Sequence, residues 1–221
     1  MVNEAPLTLL ENFLLLALNE ETGQLHSVGS DALDYATAGA ILMDLTLRNR
    51  IDNDMRDLFP IDPTPTGDDI LDPVMQMISL APVLMPHPIV YWLKQIAEEG
   101  ASLRKKALRR LEKRGIIRNK SMNSFWMLGF RGGSTVNEQE QNAVKARLMG
   151  TLHGGDVPTA QGIMLTGLVY ACGLFPFIMN ETEYKDASAR IEKISHMDLI
   201  CQAVAKSIAE AHPTLSVVSG N

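Results

Sequence analysis

The chain alternates short apolar runs with polar breaks at a spacing that predicts helices. Thr8-Leu9-Leu10-Glu11 fits a capping box, in which hydroxyl and carboxylate each serve an orphan backbone N–H. It opens a helix carrying Leu10, Phe13, Leu14 and Leu18. Asn19 to Gly23 reads as a turn. Ser30-Asp31 predicts the cap of a second helix, with Leu33, Ala36, Ala40, Ile41, Leu45 and Leu47 at helical spacing, ending near Arg48-Asn49-Arg50. Its small residues Ala36, Ala38, Gly39 and Ala40 let another helix approach closely. Residues 51–68 hold Pro60, Pro63, Pro65 and Gly67 and predict a loop with, at most, short extended pieces. Asp68 or Asp69 then caps a helix through Ile78.

A further helix is predicted from about Pro88 to Ala97, carrying Ile89, Tyr91, Trp92, Leu93 and Ile96. Ser102 predicts the cap of the next, whose buried stripe is Leu103, Ala107, Leu108 and Leu111 and which Gly115 ends. Ile116-Ile117 and Phe125-Trp126-Met127-Leu128 predict two strands joined by polar Asn119 to Ser124, a β-hairpin. Helices follow at about 137–150, 159–175, 181–195 and 197–211, with Gly154-Gly155 and Asn180 among the breaks. Ile163 to Met179 is apolar on nearly all sides, which predicts the central core helix. The expected fold class is mainly α: a single globular helical domain over 1–221, with a core helix bundle and one β-hairpin after the basic helix. Residues 1–6 and 213–221 are expected to be flexible.

With 221 residues and 46% hydrophobic side chains, the chain has enough apolar content for a sizeable core, which excludes global disorder. No run approaches the ~20 apolar residues of a transmembrane helix. Phe13 to Leu18 is short and follows Glu4 and Glu11 rather than a basic region, so it is not a secretory signal. Cys172 and Cys201 make neither a disulfide framework nor a metal site and are expected to be buried packing residues. A cytoplasmic protein of a reducing compartment is the expectation.

Charge changes the picture once it is divided. Residues 104–120 hold nine basic side chains (Arg104, Lys105, Lys106, Arg109, Arg110, Lys113, Arg114, Arg118, Lys120) against one acid, Glu112. That segment carries +8 in a chain of net charge −6, which leaves −14 on the rest. An acidic body with one dense basic patch attracts anionic surfaces at one face only. The alternative is a solvated helix face.

Catalytic chemistry finds no footing. His26, His87, His153, His196 and His212 show no pair at helical metal-ligand spacing. Asp68, Asp69 and Asp72 sit at a helix start, where capping and dipole complementation outweigh cation binding. Neither a Walker loop, nor a dinucleotide fingerprint, nor a nucleophile elbow occurs. No cofactor and no metal are expected, and an enzyme is disfavoured.

The basic helix and hairpin support two readings and a third beside them. Helix, Gly115, strand, turn, strand is the order of a winged helix, with basic residues meeting nucleic-acid phosphates; the acidic body opposes duplex DNA. Alternatively the face binds an anionic membrane, with lysine and arginine near the charged surface and Phe125 and Trp126 suited to the interfacial layer. The third is a structural module whose basic face meets an acidic protein or a second copy.

The residues also carry a family pattern. Leu7-Thr8-Leu9-Leu10-Glu11 with Leu14 to Leu18, Ile41 to Ile51, Pro65-Thr66-Gly67-Asp68 with Leu71-Asp72, Leu111 to Ile117 before the hydrophobic stretch Ser124 to Phe130, and Asp156 to Ala171 come in order over nearly the whole length. In these the chain resembles the Golgi phosphoprotein 3 family. The resemblance implies a mostly helical domain that binds phosphatidylinositol 4-phosphate on an electropositive face, with a hairpin that enters the bilayer or contributes to a homo-oligomer. The family's headgroup Trp falls at Val28 or Gly29, its helical Arg at Ala38, and its paired Arg positions at Ala101 and Arg104, so Arg104 alone is kept. Lys105 and Lys106 stand beside it as point charges without the bidentate fork. Six residues precede Leu7, as in a short prokaryotic-type member, and the coat-adaptor role of the family's longer amino-terminal arm is not carried over. The expectation is a non-catalytic peripheral membrane protein. Arg104, Lys105, Lys106 and Arg109 would bind lipid headgroups and Phe125 and Trp126 would touch the membrane.

Overall fold

In the computed structural model, residues 6–81, 86–119, 134–153 and 157–211 are described. The capping box forms as predicted: Glu11 N donates to Thr8 Oγ1 at 3.1 Å and Thr8 N donates to Glu11 Oε2 at 2.8 Å. It starts α1 (Leu9–Ala17), every residue of which is buried. A helix buried at both ends needs partners for its orphan backbone groups. Asp44 accepts from Leu9 N at the amino end, and Gln141 Nε2 donates to the Leu15 and Leu18 carbonyls at the other, at 2.7 and 2.8 Å.

The second helix, α2 (Ser30–Leu47), begins before the expected cap. Gly29 holds the cap position without a side-chain bond, so Ser30 and Asp31 lie inside the first turn. There Asp31 complements the helix dipole. Its small residues do admit neighbours: a Cβ on Gly39 would lie 2.5 Å from Val204 Cγ2 and 3.3 Å from Leu168 Cδ2.

Within the predicted loop, short extended pieces do form: β1 (Ile51–Asn53) and β2 (Leu58–Pro60) pair antiparallel, Ile51 opposite Pro60. Pro60 closes a two-stranded ladder, where its missing N–H is tolerated. Then come α3 (Leu71–Leu80), α4 (Ile89–Ala97) and α5 (Gly100–Lys113). Ser102 does not cap the basic helix: α5 starts at Gly100 with Glu99 before it, because the tight turn out of α4 supplies its own backbone bonds.

The strand after Gly115 is β3 (Ile117–Asn119), and its antiparallel partner is β4 (Ser134–Val136), Ile117 opposite Val136. The predicted strand Phe125 to Leu128, with Phe125 and Trp126, lies outside the described residues. The remaining helices are α6 (Glu138–His153), α7 (Ala160–Ala171), α8 (Phe175–Ile178), α9 (Glu181–Ser195) and α10 (Leu199–Ala211).

The fold is mainly helical, a bundle built around α2, which packs against α1, α3, α4, α5, α7 and α10. The predicted central helix over Ile163 to Met179 is instead split. Gly173, at φ +64°, ends α7 and the short α8 follows, while α7 flanks α2. The run is apolar on nearly all sides because α1, α6, α9 and α10 cover α7 as well as α2.

Candidate functional site

Helix α5 lies against α1, α2 and α4, and its 3.6-residue period sorts its cations onto different faces. Gly100, Arg104, Ala107 and Leu111 fall on one stripe, all buried. The contact with α2 is close at Gly100, where a Cβ would lie 2.3 Å from Asp34 Oδ1 and 2.9 Å from Asp34 Cα. Four residues on, Arg104 is only 9% exposed. Its guanidinium donates to Asp34 Oδ1 at 2.6 Å and to Thr37 Oγ1 at 3.4 Å. The expected headgroup contact is thus turned into α2, where a buried cation requires a carboxylate.

A second flank of α5 meets acids of α1 and of the turn before α3. One Arg110 terminal nitrogen lies 2.9 Å from Asp68 and 3.2 Å from Asp69, and its Nε lies 3.3 Å from Glu11. Burial lowers the Arg110 pKa, but the hydrogen bond and charge of Asp68, with those of Glu11 and Asp69, outweigh it and hold it above the ordinary value. Arg114 lies 3.8 Å from the same Glu11. Gly115, at φ +71°, closes the helix as the sequence predicts.

The outer arc carries Lys105, Lys106, Arg109 and Lys113, which the helical period places within about 100° of one another. Lys106, Arg109 and Lys113 are exposed and Lys105 is half-buried. Of the four expected headgroup residues, Lys105, Lys106 and Arg109 share this arc, and Arg104 lies on the buried stripe against α2.

In the acidic turn Ile70, not Asp68 or Asp69, holds the cap position of α3 and makes no side-chain cap bond, while the carboxylates tie down the turn before it. Asp68 accepts from Ile70 N at 2.8 Å and Leu71 N at 3.2 Å, while Asp72 accepts from the Thr66 hydroxyl and N–H, both at 2.6 Å. The Thr66 hydroxyl bond holds the Asp72 carboxyl below its usual range. His26 stacks on Phe177 and His87 on Tyr91. Both cysteines are buried, and burial pushes the Cys172 thiol up to about 12 and Cys201 well above its ordinary value. Among the described residues no group of three or more His, Cys, Asp or Glu is placed to hold a metal, and no helix is long and apolar enough to cross a membrane.

Sequence reasoning missed Asp34, Glu11 and Asp44 as partners of this region. One signal was there: Arg104 falls four residues after Gly100 and three before Ala107, inside the apolar stripe, where a cation implies an internal counter-charge.

The family model of Golgi phosphoprotein 3 matches residues 9–211, from the first helix to the last. The chain belongs to the Golgi phosphoprotein 3 family. Among individual proteins it is similar to the vacuolar protein sorting-associated protein 74 of Eremothecium gossypii, 26% identical over 170 residues, 67% of this chain and 50% of that protein. The protein of the same name from Schizosaccharomyces pombe is 26% identical over 167 residues, 66% of this chain and 48% of the relative. The chain spans about half the length of these relatives. Within the Golgi phosphoprotein 3 match fall α5, the acids that hold its inner flank and the lysines of its outer arc.

Proposed function

We propose that the chain is a non-catalytic peripheral membrane protein that binds anionic phospholipid headgroups through the outer arc of α5. The observation that carries this reading is the arrangement of Lys105, Lys106, Arg109 and Lys113 on one exposed arc of a chain whose net charge outside the basic segment is −14. Cations close to an anionic bilayer contribute about 1 kcal/mol each, which is enough for reversible attachment when several act together. Membership of the Golgi phosphoprotein 3 family supports phosphatidylinositol 4-phosphate as one lipid of this class, and the sorting role in the relatives' name supports a Golgi-associated setting. Phe125 and Trp126 would add interfacial contact, and the β3–β4 hairpin is the proposed route to a homo-oligomer. Nucleic acid is the poorer partner, since the acidic body repels a duplex.

Co-sedimentation of the full chain with vesicles tests the reading. Vesicles of phosphatidylcholine with phosphatidylserine or phosphatidylinositol 4-phosphate are expected to pull the protein down, and pure phosphatidylcholine is not. Lys105→Glu/Lys106→Glu/Arg109→Glu is expected to lower the bound fraction at least a hundredfold. Unchanged binding by a folded triple variant would overturn it.

A further inference from the structure

Helix α5 and its cap turn Arg104, Arg110 and Arg114 away from the arc that carries the lysines. Arg104 points at Asp34 and Thr37, Arg110 at Asp68, Asp69 and Glu11, and Arg114 at Glu11. Lys105, Lys106 and Lys113 lie on the outer arc. The two cations do different chemistry. A guanidinium fork holds a phosphate bidentately and so reads where its oxygens are, whereas an ammonium on a four-carbon stem is a mobile point charge. Three forks on α5 thus serve carboxylates of their own chain. Arg109 is the arginine on the outer arc among the described residues, so the charge that this arc presents is carried mostly by lysines.

The inward turn of Arg104 is a consequence of helix packing, not of rotamer choice. Because α5 touches the Asp34 backbone at Gly100, the next turn lies under α2, and the Arg104 side chain leaves α5 already facing Asp34. Swinging it outward would strand the Asp34 carboxylate, only 23% exposed, against the same close contact.

We propose that this face reads the charge density of a membrane and not the identity of its headgroups, Arg104 being held out of it by its internal counter-ion Asp34. The proposal rests on the lipid-binding reading above and adds to it the class of surface recognised: a bilayer rich in any anionic phospholipid.

The test compares vesicles of phosphatidylcholine with phosphatidylserine and of phosphatidylcholine with phosphatidylinositol 4-phosphate, adjusted to equal zeta potential. The full chain is expected to partition into the two within about threefold, because one charge-assisted fork contact to a specific phosphate would add about tenfold or more. Each of Lys105→Gln, Lys106→Gln and Lys113→Gln is expected to lower partitioning about fivefold on both membranes alike. Asp34→Asn/Arg104→Gln keeps the net charge and the outer arc, and is expected to bind both membranes as the parent does. A phosphoinositide preference above about threefold at matched charge overturns the proposal, as does loss of binding by the folded double variant. If that variant does not fold, the comparison of the two vesicle sets with the parent chain still decides. Failure to bind either anionic set sinks the lipid-binding reading itself, a result distinct from a headgroup preference.

Discussion

Asp44 sits in α2 with 6% of its surface exposed, its carboxylate against the first turn of α1. It accepts from Leu9 N at 3.0 and 2.9 Å and from Leu10 N at 3.4 Å. Burial raises its pKa from 3.8 to about 6, against those backbone bonds and Arg48, which lower it, and with Asp68, which adds to the rise. The folded chain therefore holds this proton more tightly than the unfolded chain does. The stabilisation is fully present below pH 3.8 and is lost as pH rises through about 6. The total is about 3 kcal/mol from the shift itself. Denaturation midpoints measured from pH 4 to 7 are expected to fall in the parent relative to Asp44→Asn, which lacks the titrating group; parallel curves would contradict the assignment.

At the scale of elements, two glycines in helices make opposite predictions. Gly to Ala inside a helix ordinarily stabilises by about 0.5–1 kcal/mol, because it removes backbone freedom from the unfolded chain. Gly150 in α6 has nothing within 4 Å of an added Cβ, so Gly150→Ala is expected to follow that rule. Gly100 has Asp34 Oδ1 at 2.3 Å and Asp34 Cα at 2.9 Å, so Gly100→Ala must push α5 off the α2 backbone and is expected to destabilise by about 1–3 kcal/mol. Thermal melts of the two variants should move in opposite directions. The same contact explains why the start of α5 escaped the sequence reading. Ser102 has the chemistry of a cap, but the turn out of α4 and the close approach at Gly100 start the helix earlier.

For the whole molecule, the division of charge governs behaviour. Attraction between the α5 outer arc and an anionic bilayer acts through solvent and is screened, with a Debye length of about 10 Å at 0.1 M salt and about 3 Å at 1 M. Vesicle binding is expected to fall at least tenfold across that range, whereas the Arg104–Asp34 pair, largely shielded from water, is not expected to loosen. Salt titration of co-sedimentation, with near-ultraviolet circular dichroism as the fold control, measures both. Salt-independent binding would point to an apolar mode of attachment instead.

Local signals decided much of this protein. Thr8 and Glu11, Asn180 before α9, Gly115 after α5 and the apolar spacing of α4 and α5 act within a turn or two of chain, so periodicity and capping rules reach them. The charge split and the acidic turn at 66–72 were legible for the same reason. What only the tertiary structure decided depends on residues far apart in sequence. Asp44 and Gln141 cap α1 from 35 and 126 residues away, β3 pairs with residues 134–136, and Asp34 reaches Arg104 across 70 positions. Local rules say that a helix is basic; which of its cations are neutralised from within is set by the helix packed against it.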